Sequence, residues 1–406
     1  MTEETEREAA SRSPLTLDWL LSPFDLDEFT GEVWERQHLL VRRMDPRYYR
    51  DLLSLSDLDE ILSTMSVKSA NLRIVDHGRE IPASATISAE PGGPQNALEK
   101  LYELYRTGST IVFNSLHERW PPLTRLCRSV AREISGSAQV NVYLTPAGGQ
   151  GFKAHYDSHD VFVAQAHGSK RWRVYPPPIE LPSHDQPYRL SGLTAPAEPI
   201  EEFDLRAGDL LYLPRGYMHE AEANDEASVH LTIGVMPVLW SSVLINAVRT
   251  IVKADARFRR ALPLRFDSDP RRRQQAEAAG ALLLQVLSES LSPEQMIADG
   301  AMWAQRSGTA SLNGHLRDLE AVRSLGPASR TGRRPGLRWQ TIEQDDAISL
   351  EFHGKAVRFP RHVANEVRFV ARTDSFTLDD IPGELDDAGR RALVGTLVRE
   401  GFLTMS

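Results

Sequence analysis

The 406-residue chain has one cysteine, six lysines and no long apolar run. A single thiol, Cys127, excludes an internal disulfide and a cysteine-built zinc site. No apolar stretch approaches the roughly 20 residues that a membrane-spanning helix requires. The opening MTEETEREAASRS lacks the basic-then-apolar order of a secretory signal. A positive excess is missing too: 47 Lys+Arg stand against 56 Asp+Glu, a formal net charge of −9. That balance argues against sequence-blind nucleic-acid binding, which needs a basic footprint, and suits a basic partner better. These absences lead us to expect a cytoplasmic protein with no membrane partner. What remains is an ordinary globular mix, 41% hydrophobic and 25% charged, long enough for two or three domains.

Residues 1–13 read as a disordered acidic tail. Leu15 to Arg43 shows helical periodicity with breaks, anchored by Trp19, Phe24, Phe29 and Trp34. Amphipathic helices are expected at Asp51–Met65, Leu98–Tyr105 and Leu123–Ile134, with a loop at 84–96. From Gln139 to Val238 the character changes to short β segments separated by turns, which points to an antiparallel barrel or sandwich. After Trp240 helical spacing returns and runs to 325. Residues 326–338, GPASRTGRRPGLR, have the composition of a linker. A last unit, 339–406, opens with a hairpin turning at Gly354 and continues with three helical pieces, an order compatible with a winged helix. Residues 340–406 hold 8 Lys+Arg and 12 Asp+Glu. A phosphate-gripping unit should be basic, so DNA binding is not expected.

His155-Tyr156-Asp157 is the sharpest local feature. On a strand, residues i and i+2 share a face, so an imidazole and a carboxylate can converge on one metal ion. His219, in GDLLYLPRGYMHEA, is the candidate third ligand. Two histidines and one carboxylate on one face are the donor set of non-haem Fe(II) oxygenases, with three coordination positions left open. Lys170, in HGSKRWRVY, offers a cation for the distal carboxylate of a 2-oxo diacid. Its alternative reading is a solvated turn lysine. His159 shares the face of the pair only if the strand continues unbent. His167 reads as a surface turn residue, and His230 as a hydrogen-bonded core residue. Cys127 reads as core.

The run NVYLTPAGGQGFKAHYDSHDVFVAQAHGSKRWRVY, then GDLLYLPRGYMHEAEA and VHLTIG, resembles the JmjC-type ribosomal oxygenases, members of the cupin superfamily. These are Fe(II)- and 2-oxoglutarate-dependent hydroxylases of ribosomal proteins. The resemblance covers residues 15–240, with the closest motif matches between Asn141 and Thr232. It implies an α+β fold: a double-stranded β-helix barrel with flanking helices at 14–240, a helical dimerisation region at 241–325 and a winged-helix-like domain at 339–406. It places the metal ligands on His155, Asp157 and His219 and the cosubstrate lysine on Lys170. It also places Asn141 in the pocket lining, Tyr143 against substrate and Thr232 facing the cosubstrate. The implied activity is hydroxylation of a side chain, His or Arg, of a ribosomal protein by a homodimer. Ser158-His159 and Ala166-His167-Gly168 depart from the family pattern near the mouth of the site. Three other readings remain open: the same chemistry on another peptide such as a biosynthetic precursor, lysine demethylation, and a non-catalytic metal-binding cupin.

Overall fold

The computed structural model describes residues 15–64, 71–76, 78–81, 94–196, 198–306 and 312–405. The expected acidic tail, and most of the expected loop at 84–96, lie outside the described residues. The chain divides into two compact units, Met1–Met236 and Pro237–Ser406.

The first unit is built on two antiparallel sheets. Its strands are β1 (Leu39–Val41), β2 (Leu72–Asp76), β3 (Arg79–Ile81), β4 (Thr110–Phe113), β5 (Gly136–Thr145), β6 (Asp160–His167), β7 (Ser169–Tyr175), β8 (Glu201–Arg206), β9 (Leu210–Leu213), β10 (Met218–Ala223) and β11 (Ser228–Pro237). The large sheet runs β1-β9-β6-β11-β5-β4-β2-β3, and the small one β10-β7-β8. The five β segments expected from Gln139 onward are present. Strands β1 to β4 were not expected, because three- to five-residue runs carry almost no period-2 signal of their own. Pairing with longer neighbours makes them strands, as where Leu39–Val41 lies against Leu210–Tyr212.

Alternation divides the side chains of the large sheet between two cores. One face sends Val140, Val142, Phe162, Ala164, Leu231 and Ile233 against the helices. These are Leu17–Leu21, Leu55–Thr64, Pro94–Arg106 and Pro121–Glu133, the last carrying buried Cys127. The helix expected from Asp51 begins at Leu55, after turns at 51–52, and Ser54 and Asp57 stitch its start through side chain and backbone. The other face sends Val161, Val163, Leu211 and Leu213 across to Trp172, Val174, Phe203 and Leu205 of the small sheet. The two sheets therefore face each other as barrel walls. This apolar plug fills part of the interior, and the polar site lies in the rest.

The second unit opens with helices Trp240–Ala254, Pro270–Ser290, Pro293–Arg306 and His315–Ala321. It closes with β12 (Thr331–Arg333), β13 (Trp339–Glu343), β14 (Ala347–Phe352), β15 (Lys355–Pro360), helices Ala364–Arg372 and Asp387–Arg399, and β16 (Leu403–Met405). The β14–β15 hairpin turns at Gly354, whose φ of 73° suits glycine. The linker expected at 326–338 is not a linker. Strand β12 lies inside it and pairs with β16. Arg334, 3% exposed, bonds Asp318 at 2.7 Å and the Gly401 and Asn313 carbonyls at 2.9 and 2.8 Å. Pro, Gly and Arg in the composition mark irregular backbone but say nothing of a buried ion pair formed 16 residues away.

Candidate metal and cosubstrate site

His155, Asp157 and His219 come together: one ligand atom from each lies within 4.8 Å of the others. Local strand geometry at 155–157 is not the reason. Strand β6 starts only at Asp160, and His155 is an isolated bridge residue paired with His219. Their backbones exchange both hydrogen bonds, His155 N–H to His219 O at 3.1 Å and His219 N–H to His155 O at 2.8 Å. An antiparallel pair of this kind puts both side chains on one face, with ring centroids 4.6 Å apart. Asp157 is fixed from the other side, where its carbonyl accepts the Gly216 N–H at 3.0 Å. Gly216 has φ 93°, and a Cβ there would sit 2.4 Å from the Ile179 carbonyl oxygen, so the Pro214-Arg215-Gly216 turn requires glycine.

Each histidine is oriented by its own chain. Nδ1 of His155 bonds the Lys153 carbonyl at 2.7 Å, and Nδ1 of His219 bonds the Tyr217 carbonyl at 3.1 Å. Donation from Nδ1 fixes the tautomer and leaves both Nε2 lone pairs for a metal. Burial first, then His155 beside it, pushes His219 down to about 4, so its ring is neutral at physiological pH. Burial works to raise the Asp157 carboxyl, but His159, His155, His219 and Arg73 outweigh it and hold it below its usual value. Two imidazoles with Nε2 lone pairs available and a carboxylate, free of hydrogen bonds to one another, fit an Fe(II)-type ion with open positions.

Behind the turn, Asp160 is fully buried and Arg215 is 8% exposed. Asp160 accepts from the Arg215 guanidinium at 2.8 Å, the Arg215 N–H at 3.1 Å and the Tyr212 hydroxyl at 3.3 Å. This clamp, which sequence reasoning missed, holds the segment leading to His219. Asp160→Ala leaves the buried guanidinium with only the partly exposed Glu35 as an ionic partner and is expected to cost about 3 kcal/mol in a denaturant titration. The double substitution Asp160→Leu, Arg215→Met is expected to cost clearly less.

Lys170 is 1% exposed, which overturns the solvated-turn reading. Its ammonium has no hydrogen-bond or ion-pair partner among the described residues, and burial pushes it down to about 7. Gly151, from the Gly-rich loop, lies over it: a Cβ there would come 4.0 Å from Nζ. Tyr143 stacks on His230 with centroids 4.5 Å apart and planes at 10°, and meets Phe152 edge-on at 6.3 Å. Thr232, two residues from His230 on β11, is half-buried on the same interior face. Asn141 is engaged: its Oδ1 accepts the Ser115 N–H at 3.0 Å.

The remaining histidines separate clearly. His159 lies outside the triad because no strand runs from 155 to 159. Its ring covers Gly234, where a Cβ would meet Nε2 at 2.5 Å. His167 is exposed at the end of β6. His230 is buried as expected but not hydrogen-bonded, since Nδ1 is buried without a partner. Arg73 was also missed. It pairs with Glu80 at 2.9 and 2.7 Å and lies 4.5 Å from the Phe152 ring centroid.

Residues 116–242 match the JmjC domain family. Ribosomal oxygenase 1 of Rattus norvegicus is 34% identical over 268 residues, 63% of this chain and 43% of that protein. A Drosophila yakuba protein named bifunctional lysine-specific demethylase and histidyl-hydroxylase NO66 is 31% identical over 266 residues, 61% of this chain and 37% of that protein. The chain thus spans about two fifths of the length of these curated relatives. Among solved structures, the Escherichia coli ribosomal oxygenase YcfD in complex with cobalt and 2-oxoglutarate shares the fold: TM-score 0.52, 19% identity, 95% of this chain and 99% of that one. The fold is α+β and of JmjC/cupin type. Residues 116–242 thus match a JmjC domain, and the chain is similar to the ribosomal oxygenases over 63% of its length.

Proposed function

We propose that this chain is an Fe(II)- and 2-oxoglutarate-dependent oxygenase that hydroxylates a side chain, His or Arg, of a ribosomal protein. The observation that carries the reading is the convergence of His155, Asp157 and His219, with the unpaired, buried Lys170 on the strand paired to that of His219. An Fe(II) ion and a 2-oxo acid together supply O2-driven hydroxylation of a C–H bond, with the 2-oxo acid converted to succinate and CO2. The chain supplies the rest. His155, Asp157 and His219 hold the ion on one face. Lys170 receives the distal carboxylate, while Asn141, Thr232 and Tyr143 line the pocket. The apolar plug and Trp172 keep water from the inner end. The names of the relatives support a ribosomal protein as substrate, and the histidyl-hydroxylase name favours histidine. The net charge of −9 suits a basic partner. The test is incubation with ribosomal proteins, Fe(II), 2-oxoglutarate and air. One protein should gain one oxygen atom by mass spectrometry. Demethylation of a methyl-lysine peptide without that gain would favour the other activity in the NO66 name.

The second unit supports a homodimer. Helix Pro270–Ser290 has no buried residue, and its Leu282 and Leu284 are 54% and 69% exposed. Trp240, Ile245 and Ile297 are also more than half exposed. Such side chains on neighbouring helical segments suit a self-complementary interface. Leu282→Glu with Leu284→Glu is expected to give a monomer by light scattering, where wild type gives twice the chain mass. The β13–β15 sheet with its following helices is read as winged-helix-like, and its acidic balance favours protein contact over DNA. No described helix is long and apolar enough to cross a membrane.

A further inference from the structure

We propose that His230 is a second anchor for the distal carboxylate of the 2-oxo acid, donating a hydrogen bond to one carboxylate oxygen while Lys170 holds the other. The proposal rests on the reading of Lys170 given above.

Three observations lead to it. First, His230 sits on the interior face of β11. Past the register shift at Val229, Leu231 and Ile233 point into the helix-side core, so alternation turns His230 and Thr232 toward the small sheet. Lys170 is on that sheet, on β7, two residues from Trp172, whose ring centroid lies 5.8 Å from that of His230.

Second, the ring is held but its polar edge is unused. Tyr143 stacks on it with planes at 10°, and Trp172 meets it edge-on at 5.8 Å. His230 is 4% exposed, yet neither ring nitrogen has a hydrogen-bond partner among the described residues, and Nδ1 is fully buried. Burial, Lys170 and His219 push its pKa well below the usual value, so the ring is neutral and carries one N–H donor. Buried polar groups are normally satisfied, and the exceptions mark functional sites.

Third, the unsatisfied donors come as a pair. Lys170 brings an unpaired buried ammonium to the same part of the barrel, next to Gly151, whose Cβ position lies 4.0 Å from Nζ. A positive donor and a neutral donor without acceptors match one carboxylate, which has two oxygens and only accepts. The packing of the ring alone would be met equally well by phenylalanine.

The test uses the full chain loaded with Mn(II) in place of Fe(II), without oxygen, in isothermal titration calorimetry. The ligands are 2-oxoglutarate and 2-oxopentanoate, which has a methyl group in place of the distal carboxylate. His230→Phe keeps the ring contacts and removes the donor. It is expected to weaken 2-oxoglutarate by roughly tenfold to a hundredfold. Its affinities for 2-oxopentanoate and for Mn(II), the latter followed by paramagnetic resonance, should not change. His230→Gln, which restores an N–H, should recover much of the loss. If His230→Phe binds 2-oxoglutarate like wild type while Lys170→Met does not, His230 only packs and the proposal is overturned. Equal losses for both ligands would also overturn it, as pocket collapse. If wild type itself does not distinguish the two ligands, the anchoring role of Lys170 fails, and that of His230 with it.

Discussion

His155→Ala and Asp157→Ala are each expected to abolish metal retention and lower turnover by about a thousandfold or more. The structure gives no substitute donor. Among the described residues, the triad is the only group of three or more such side chains that converges closely enough to hold an ion. His159 is the nearest spare imidazole, but its ring is committed to the surface of Gly234. Each loss also leaves the surviving ligands well placed, because the His155–His219 bridge is made by backbone atoms. The variants should therefore fold normally, and circular dichroism and melting temperature should match wild type. Succinate release in the presence of 2-oxoglutarate gives the activity readout, and metal analysis after desalting gives the binding readout. Asp157→Ala is expected to be the harsher change, because it removes the only negative charge among the three ligands.

Lys170→Met is expected to do two opposite things: lose 2-oxoglutarate binding and stabilise the ligand-free protein. An ammonium buried with no partner is held against its preference for water, and its pKa is pushed down to about 7. The unfolded chain keeps the ordinary lysine value near ~10.4. Between about 7 and about 10.4 the unfolded state therefore binds more protons than the folded one, so stability rises with pH across that window. Below it the penalty is fully present. At neutral pH its removal should stabilise by roughly 3–5 kcal/mol, read as a higher denaturant midpoint for Lys170→Met. Binding carries the opposite sign. The carboxylate needs the protonated form, so affinity for 2-oxoglutarate in wild type should fall as pH rises above about 7, by up to about tenfold per unit. Lys170→Met should show no such slope. A variant that is less stable than wild type, or that binds 2-oxoglutarate unchanged, would contradict this account of Lys170.

The same residues show where sequence is a sufficient guide and where it is not. The pairing of His155 with Asp157 and the distant His219 is legible because spacing, residue type and turn chemistry all lie in short segments. The expected cause, a continuous strand, is absent, since the alignment depends on a bridge between residues 64 positions apart. Lys170 is legible as a cation, but its burial is set by Gly151 and by the opposite sheet, neither of which is local. His230 reads as a core histidine on its strand, and only the position of Tyr143 and Trp172 shows that its nitrogens are left without acceptors. The Asp160–Arg215 clamp and the Asp318–Arg334 pair are tertiary ion pairs that no composition window reports. Strand β4, TIVF, is a four-residue apolar run that could equally be helix core until β2 and β5 flank it.

One measurement bears most directly on the central claim that the triad and Lys170 form a single Fe(II) and 2-oxo acid site. Fe(II) is added without oxygen, then 2-oxoglutarate, and the visible absorption of a 2-oxo acid chelated to Fe(II) is followed. Wild type should develop the band at stoichiometric metal. Asp157→Ala should not, and Lys170→Met should need far more 2-oxoglutarate to reach it. Fe(II) and 2-oxoglutarate both bound with no band, or a band that survives Asp157→Ala, would contradict the account.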